Sequence, residues 1–252
     1  MRLLAFDTST DAMSIAVGCT VRGEPRAWHH CAAGGAQASA SLIPAIMGLM
    51  RQAGLGFADL DAIAFGRGPG AFTGLRTACS VAQGLGFGAQ GAPGGRAVPL
   101  LPVDTLLALA EEARHQYSTG HAPLRVLGML DARMDQIYAA GYAFDGAYWQ
   151  PHRAPILERP ENLSLDPQWL LPGSVLAGNV FAAYGDRLPF GQDLVRIEAL
   201  PTAGAMLRLA PALLAAGHGV SAELALPLYI RDKVAQTTSE RAAAKAAASA
   251  PP

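Results

Sequence analysis

Apolar positions fall in short runs broken by turn-forming clusters. Residues 3–6 are a continuous apolar run that stops at Asp7-Thr8-Ser9-Thr10, where small side-chain oxygens favour a turn. Residues 13–17 predict a second strand, in a hairpin with the first, and 27–31 a third. A helix is predicted over about 38–53 and a short strand over 62–65. The glycine-rich loop Gly66-Arg67-Gly68-Pro69-Gly70-Ala71-Phe72 follows and opens a second helix, 73–88. Residues 98–103 predict a strand, and Asp104 is placed to cap a helix running to Tyr117. This β-β-β-α-β-α-β-α order predicts an α/β fold, a mixed sheet with helices packed on it.

A second unit begins near Asp104 or in the polar stretch 118–123. Residues 125–130 and 136–144 read as strands joined by Asp131-Ala132-Arg133-Met134-Asp135. One more strand is predicted over 170–178 and a helix over 202–216. The expected division is an N-terminal lobe, 1–103, and a C-terminal lobe, 104–235, whose last helix and strand are free to pack back on the first. The Ala/Ser/Pro-rich stretch 236–252 reads as a disordered tail. No tandem repeat is visible.

The first helix is too apolar for one sheet. Around its axis Leu49, Leu42, Ala53, Ile46, Met50, Ile43 and Met47 cover an arc of roughly 160°. A helix resting on a single sheet needs about 100°. The surplus, including Met47 and Met50, points either to a second partner or to burial between the sheet and a neighbouring helix. The second helix is rich in small residues, Ala78, Ala82, Gly84, Gly86 and Gly88, so another backbone can approach it. Arg76 in its first turn opposes the helix dipole. It needs a carboxylate, a phosphate or a partner contact to explain it.

Composition sharpens this picture. The 252 residues are 51% hydrophobic and only 15% charged, against a usual charged share of about 25%. That excludes a disordered chain over most of the length. The net charge of −1 argues against a stand-alone nucleic-acid binder, which neutralises phosphates with a basic excess. So little charge also suggests that some apolar surface is covered by another protein. The apolar start ends at Asp7, too early for a signal peptide, and 77–95 carries too many glycines and polar residues for a membrane span. Cys19, Cys31 and Cys79 are odd in number and form no C-x-x-C pair. They are expected to be reduced, buried thiols in a cytoplasmic protein.

The candidate chemistry is incomplete. The glycine loop before a helix invites an anion, but Gly74-Leu75-Arg76-Thr77 lacks the P-loop lysine. A dinucleotide pattern from Gly68 and Gly70 meets Thr73 in its third glycine position. A generic anion site and a purely structural loop both stay open. Asp7 is placed to hold a hydrated Mg²⁺, with Thr8, Ser9 and Thr10 as phosphate donors. The local pattern favours the plainer alternative, an Asx or Ser/Thr turn closing the hairpin. His29 and His30 adjoin Cys31, but neighbouring strand residues point to opposite faces and do not converge on a metal. Asp131 and Arg133 are expected as a buried pair fixing a hairpin. Residues 227–231, Pro-Leu-Tyr-Ile-Arg, either dock on the core or present Tyr229 and Arg231 to a partner. No complete catalytic or metal-binding set emerges.

The motifs Leu4-Ala5-Phe6-Asp7-Thr8-Ser9-Thr10, Gly66 through Arg76, Asp131-Ala132-Arg133-Met134 and Pro227-Leu228-Tyr229-Ile230-Arg231 resemble, in that order, the TsaB family. These are bacterial dimerisation subunits for N6-threonylcarbamoyladenosine synthesis on tRNA. The resemblance spans about residues 3–235. It implies a two-lobed actin-like, sugar-kinase-like (RNase H-like) fold and a non-catalytic role beside TsaD, the subunit that modifies adenosine 37 of tRNAs reading A-starting codons. TsaD carries an H-x-x-x-H metal motif, and this chain has none. By resemblance the interface residues are Leu42, Ile43, Ile46, Met47 and Met50 on the first helix and Leu75, Arg76, Ala78, Cys79 and Ala82 on the second. Candidate anion or nucleotide ligands are Asp7, Thr8, Ser9, Gly68, Gly70 and Thr73. The implied partners are TsaD, the ATPase TsaE and a second copy of the chain. Transfer RNA is met only through the complex and no membrane is involved. No intrinsic cofactor is implied, with ATP and Mg²⁺ as candidates in the assembled complex. The family's R-x-H-[ST]-Q pattern before the first helix is replaced here by Gly34-Gly35-Ala36-Gln37-Ala38-Ser39. The competing reading is an Mg-ATP enzyme of the sugar-kinase type built on Asp7. A metallopeptidase is disfavoured by the missing histidine pair.

Overall fold

A computed structural model describes residues 1–231 apart from 22, 92–95, 118–119, 165, 171–172 and 192–193. The expected tail lies outside these residues. Strands β1 (Leu3–Asp7), β2 (Ala12–Val21), β3 (Glu24–Ala33), β4 (Ala62–Gly68) and β5 (Leu100–Asp104) form one sheet in the order β3-β2-β1-β4-β5. Strands β6 (Leu124–Asp131), β7 (Ile137–Phe144), β8 (Trp149–Glu158), β9 (Ser174–Gly178) and β10 (Val195–Glu198) form the other, in the order β10-β9-β6-β7-β8. In both sheets the first strand pairs antiparallel with the second and parallel with the fourth. Read from the third strand to the fifth, the two orders are the same. This is the two-lobed α/β architecture that the resemblance implies, with the mixed sheet expected from the element order.

The helices are α1 (Ala38–Ala53), α2 (Phe72–Gly91), α3 (Thr105–Tyr117), the one-turn α4 (Phe181–Tyr184) and α5 (Ala203–Ala215). Alternation along β1 and β4 decides which helix meets which face. Leu4, Phe6, Ile63 and Phe65 point to α1 and α2, with Leu42, Ile46, Leu49 and Met50 packed over them. Leu3, Ala5, Ala62 and Ala64 point to α5, against Met206 and Leu209. The strands β1 and β4 are therefore covered on both sides, which is why they read as continuous apolar runs. Helix α1 ends in a Schellman turn: Gly54 is left-handed at φ 68°, its N–H reaches the Arg51 carbonyl, and Leu55 N–H reaches Met50.

Helix α3 sits between the sheets and ties them together. The buried Glu111 carboxylate accepts hydrogen bonds from Arg114, from Arg208 of α5 and from the Trp149 indole of β8, at 2.7–3.0 Å. Burial pushes its pKa up, but these bonds outweigh burial and hold it below the usual carboxylate range.

Several boundaries differ from expectation. Strand β8 was not anticipated because Pro151 and Pro155 interrupt it. It is an edge strand, where a missing N–H is tolerated. The four-residue edge strand β10 and the single turn α4 carry too little periodicity to be seen. The strand expected over 170–178 is shorter, Ser174–Gly178, and Leu170 belongs to a 3₁₀ turn. Asp104 stands directly before α3, where a cap was expected, and is also the last residue of β5; its carboxylate accepts from Arg67 Nε.

Candidate functional site

The β1–β2 turn and the glycine loop were the leading chemical candidates, and the structure joins them into one buried unit. Asp7, Thr8 and Ser9 are all buried. Asp7 Oδ1 accepts both the backbone N–H and the hydroxyl of Ser9, at 2.9 and 2.6 Å. Thr8 Oγ1 donates to the Gly74 carbonyl at 2.7 Å, and Ala71 N–H donates to the Ser9 carbonyl at 2.7 Å. The glycines permit this contact. A Cβ at Gly66 would lie 1.8 Å from Asp7 Oδ2, at Gly70 2.5 Å from the Ser9 carbonyl oxygen, and at Gly74 1.8 Å from the Thr8 carbonyl oxygen. The loop is thus shaped to receive a piece of its own backbone. Asp7 Oδ2 has no hydrogen-bond partner, and burial raises the Asp7 carboxyl to about 6.

This geometry realises the Asx-turn reading and works against the nucleotide reading. Asp7 is buried, whereas a hydrated Mg²⁺ keeps several waters around it, and the Thr8 and Ser9 hydroxyls already donate within the unit. Gly68 is buried, at φ 122°, with the Leu228 carbonyl oxygen 2.5 Å from where a Cβ would be. Thr73 is exposed on the outer side of α2 and Gly70 is half-buried, so the six proposed ligands do not converge on one open site.

The equivalent turn of the second sheet faces this unit across a cleft of about 230 Å³. There Arg133, Met134 and Asp135 are consecutive left-handed residues at φ 61°, 55° and 62°, a conformation that costs non-glycine residues about 1 kcal/mol or more each. Asp131 holds it by accepting from the Arg133 N–H at 2.8 Å and from Tyr184 Oη at 3.0 Å, while Arg187 grips Asp135. The expected Asp131–Arg133 ion pair is present, at 3.5 Å, but on its arginine side it is exposed rather than buried. The Arg133 side chain is exposed and crosses the cleft to Asp11 in the first turn.

The segment 227–231 straps the two turns together. Leu228 N–H donates to the Arg67 carbonyl at 2.6 Å, and Arg231 Nη2 donates to the Ala132 carbonyl at 3.0 Å. Tyr229 rests on Phe72 with centroids 5.0 Å apart and accepts from Arg76 Nε at 3.1 Å. The Arg76 guanidinium lies 3.8 Å from the Phe72 ring centroid. These contacts supply the reason for Arg76 left open by the sequence: a cation–π stack and a hydroxyl, rather than a carboxylate or phosphate.

The helical face is the opposite case. Of the ten expected interface residues, Leu42, Ile46, Met50, Leu75, Ala78, Cys79 and Ala82 are buried within the chain itself. Met50, grouped with Met47 as surplus apolar surface, is only 3% exposed and belongs to the core. Ile43 and Met47 stand out at 47% and 40%, and Arg76 is exposed. Phe87, which sequence reasoning passed over, is 54% exposed on α2. Its signal was available: it is the one large side chain between Gly86 and Gly88. A Cβ at Gly48, Gly84 or Gly88 meets nothing within 4 Å, whereas one at Gly86 meets Leu100. The outward faces of α1 and α2 therefore combine large apolar side chains with open glycine positions. Leu224 and Leu226, also missed, are exposed on the segment whose Ala225 carbonyl is held by Cys79 and Gln83 of α2.

Cys19 and Cys79 are buried as expected, but Cys31 is exposed on edge strand β3, and all three are free thiols. No helix among the described residues is long and apolar enough to cross a membrane.

Comparisons with known proteins agree with one another. The family model described as TsaD, tRNA N6-adenosine threonylcarbamoyltransferase, matches residues 34–185. The tRNA threonylcarbamoyladenosine biosynthesis protein TsaB of Escherichia coli is 32% identical over 245 residues, 93% of this chain and 96% of that protein. Its counterpart in Haemophilus influenzae is 33% identical over 246 residues, 93% and 95% respectively. Among solved structures, YeaZ from Pseudomonas aeruginosa superposes with a TM-score of 0.75 at 35% identity, over 90% of this chain and 99% of that one. A second Pseudomonas aeruginosa structure, described as similar to peptidase YEAZ, gives 0.78 at 36% identity over 91% and 99%.

Proposed function

The chain belongs to the TsaB family of tRNA threonylcarbamoyladenosine biosynthesis proteins, and from that premise we propose that it is a non-catalytic subunit that pairs with TsaD and holds it in its active form. The observation that carries this reading is the exposed face of α1 and α2, with Ile43, Met47 and Phe87 projecting beside open glycines at 48, 84 and 88. Large apolar anchors next to positions where another backbone can approach closely suit a helix-on-helix partner. The buried members of the expected set, Leu42, Ile46, Met50, Leu75, Ala78, Cys79 and Ala82, then support that face from beneath. The same face serves a homodimer when TsaD is absent. Recruitment of TsaE and a cytoplasmic site of action are parts of the same proposal. The near-neutral charge supports contact with tRNA through the complex rather than through this chain.

The Mg-ATP reading built on Asp7 has less support. The groups it needs bind one another, and the cleft above them is bridged by Arg133 and strapped by 227–231. In the proposed division of labour, residues 1–103 supply the pairing lobe and 104–235 the second lobe. The test is reconstitution of the modification from threonine, bicarbonate, ATP, TsaC, TsaD, TsaE and tRNA, read by mass spectrometry of the modified adenosine. Product should form only when this chain is present. Equal product without it overturns the proposal.

A further inference from the structure

A separate cleft of about 860 Å³ lies between the two sheets, along α3 and α5. Its volume lies in the range of small-molecule sites, about 300–1,000 Å³. Its walls differ in kind. Sheet two contributes the aromatic side chains of Phe144 and Trp149, the β7–β8 turn contributes Tyr148, and α3 and α5 contribute Leu107 and Leu213. Arg67, Asp104 and Tyr142 also line it.

The hydrogen-bonding capacity left in this cleft is mostly donor capacity. Glu111, the buried acid of the lining, is occupied by four donors. Asp104 is engaged by Arg67 Nε, and a guanidinium that gives only its Nε keeps four further N–H donors on its two terminal nitrogens. Tyr142 is 3% exposed and its hydroxyl is buried without a hydrogen-bond partner. Burial, reinforced by the nearby Asp104 carboxylate, pushes the Tyr142 phenol far above its ordinary range, so it remains a neutral O–H donor. An orphaned buried donor beside a partly used guanidinium is a feature that a protein core does not need for itself.

The geometry points to this cleft as a binding site for a small aromatic carboxylate, its flat apolar body between the aromatic wall of sheet two and the leucines of α3 and α5, its carboxylate on Arg67 and Tyr142. A carboxylate matches the paired terminal nitrogens of an arginine. The site is distinct from the helical face of α1 and α2, so it stands whether or not the pairing proposal does.

The test uses the full chain labelled with ¹⁵N at tryptophan, following the Trp149 indole signal. The probes are 3-phenylpropionate, the uncharged 3-phenylpropanol and propionate. 3-Phenylpropionate should move the Trp149 signal saturably at millimolar concentration or below, with the other two at least about tenfold weaker, the share of a charge-assisted hydrogen bond. Ala212→Phe fills the cleft from the half-buried side of α5 and should abolish the shift while leaving the rest of the spectrum in place. Tyr142→Phe, which removes only the hydroxyl, should weaken the acid several-fold and leave the alcohol unchanged. No saturable Trp149 shift in the parent chain overturns the proposal. So does equal affinity of acid and alcohol, or an unchanged shift in folded Ala212→Phe.

Discussion

The two sheets share one strand plan but are dressed differently. In sheet one the connections β3→β4 and β4→β5 carry α1 and α2, 16 and 20 residues long. In sheet two the described residues of the matching connections carry only the 3₁₀ turns Pro160–Asn162, Pro167–Leu170 and Gly185–Arg187 and the four-residue α4. The corresponding face of sheet two is closed by individual side chains such as Leu163, Trp169 and Val180. A short turn can seal a sheet but offers no long face to a partner, whereas two full helices seal the sheet with one side and present the other. The first hairpins repeat the contrast. Both begin with an aspartate that accepts the N–H two residues on. Asp7 is then buried under glycines, while the second turn is left-handed and held by Tyr184, Arg187 and Arg231. One scaffold thus supports a buried plug, a braced turn and an exposed helical face, depending on what the connections supply.

The sharpest way to break this comparison is within α2 itself. Gly74→Ala drives a Cβ into the Thr8 carbonyl and should cost about 3 kcal/mol or more, since backbone cannot yield as a side chain does. Gly84→Ala, facing open space on the same helix, should instead gain about 0.5–1 kcal/mol from helix propensity. Urea unfolding midpoints at constant m-value separate the two.

Next in size is the pairing face. Met47→Lys and Phe87→Lys should each weaken binding to TsaD by about 30- to 900-fold, equivalent to about 2–4 kcal/mol for an interface anchor. Their melting temperatures should stay at the parent value, as both side chains are exposed. Met50→Lys is a poor probe of pairing, because it buries a charge in the core of the chain. Titration calorimetry with TsaD, paired with thermal melts, tells a surface effect from a folding defect.

The buried aspartate comes third. Its carboxyl, at 3.8 when unfolded and about 6 when folded, keeps a proton in the native state that the unfolded chain releases. The associated stability is fully present below pH 3.8 and is lost as the pH rises through about 6, a swing of about 3 kcal/mol at most. Asp7→Asn removes it, so the variant should gain on the parent between pH 4 and 7, by about 1–3 kcal/mol. A flat difference across that range would show that the carboxylate finds stabilisation the turn does not reveal.

The smallest effect belongs to the cleft-crossing pair. Arg133 and Asp11 are both strongly exposed, so Arg133→Ala should change stability by less than about 1 kcal/mol. A larger loss in denaturant titrations would mean that the left-handed turn depends on this bridge as well as on Asp131.

Much of this was legible from residues 1–117, because helices of three or more turns leave a strong periodic signal and doubly covered strands leave continuous apolar runs. The glycine loop, the Asx turn at Asp7 and the strong helical face were also visible. Strands β8 and β10 were not, since prolines and brevity erase the period by which a strand is recognised.

By itself the sequence determined the order of elements over the first lobe, the turn chemistry at Asp7 and the excess of apolar surface on the first helix. These depend on neighbours a few residues apart, whose backbone preferences and spacing are local. Tertiary structure alone decided that Met50 is core while Met47 is surface, that the glycines receive Thr8 and Ser9, and that Tyr229 meets Arg76. It also decided that two dissimilar stretches build the same five-stranded plan. Those outcomes rest on which groups, tens to hundreds of residues apart, arrive at one place, and burial there is shared among all of them.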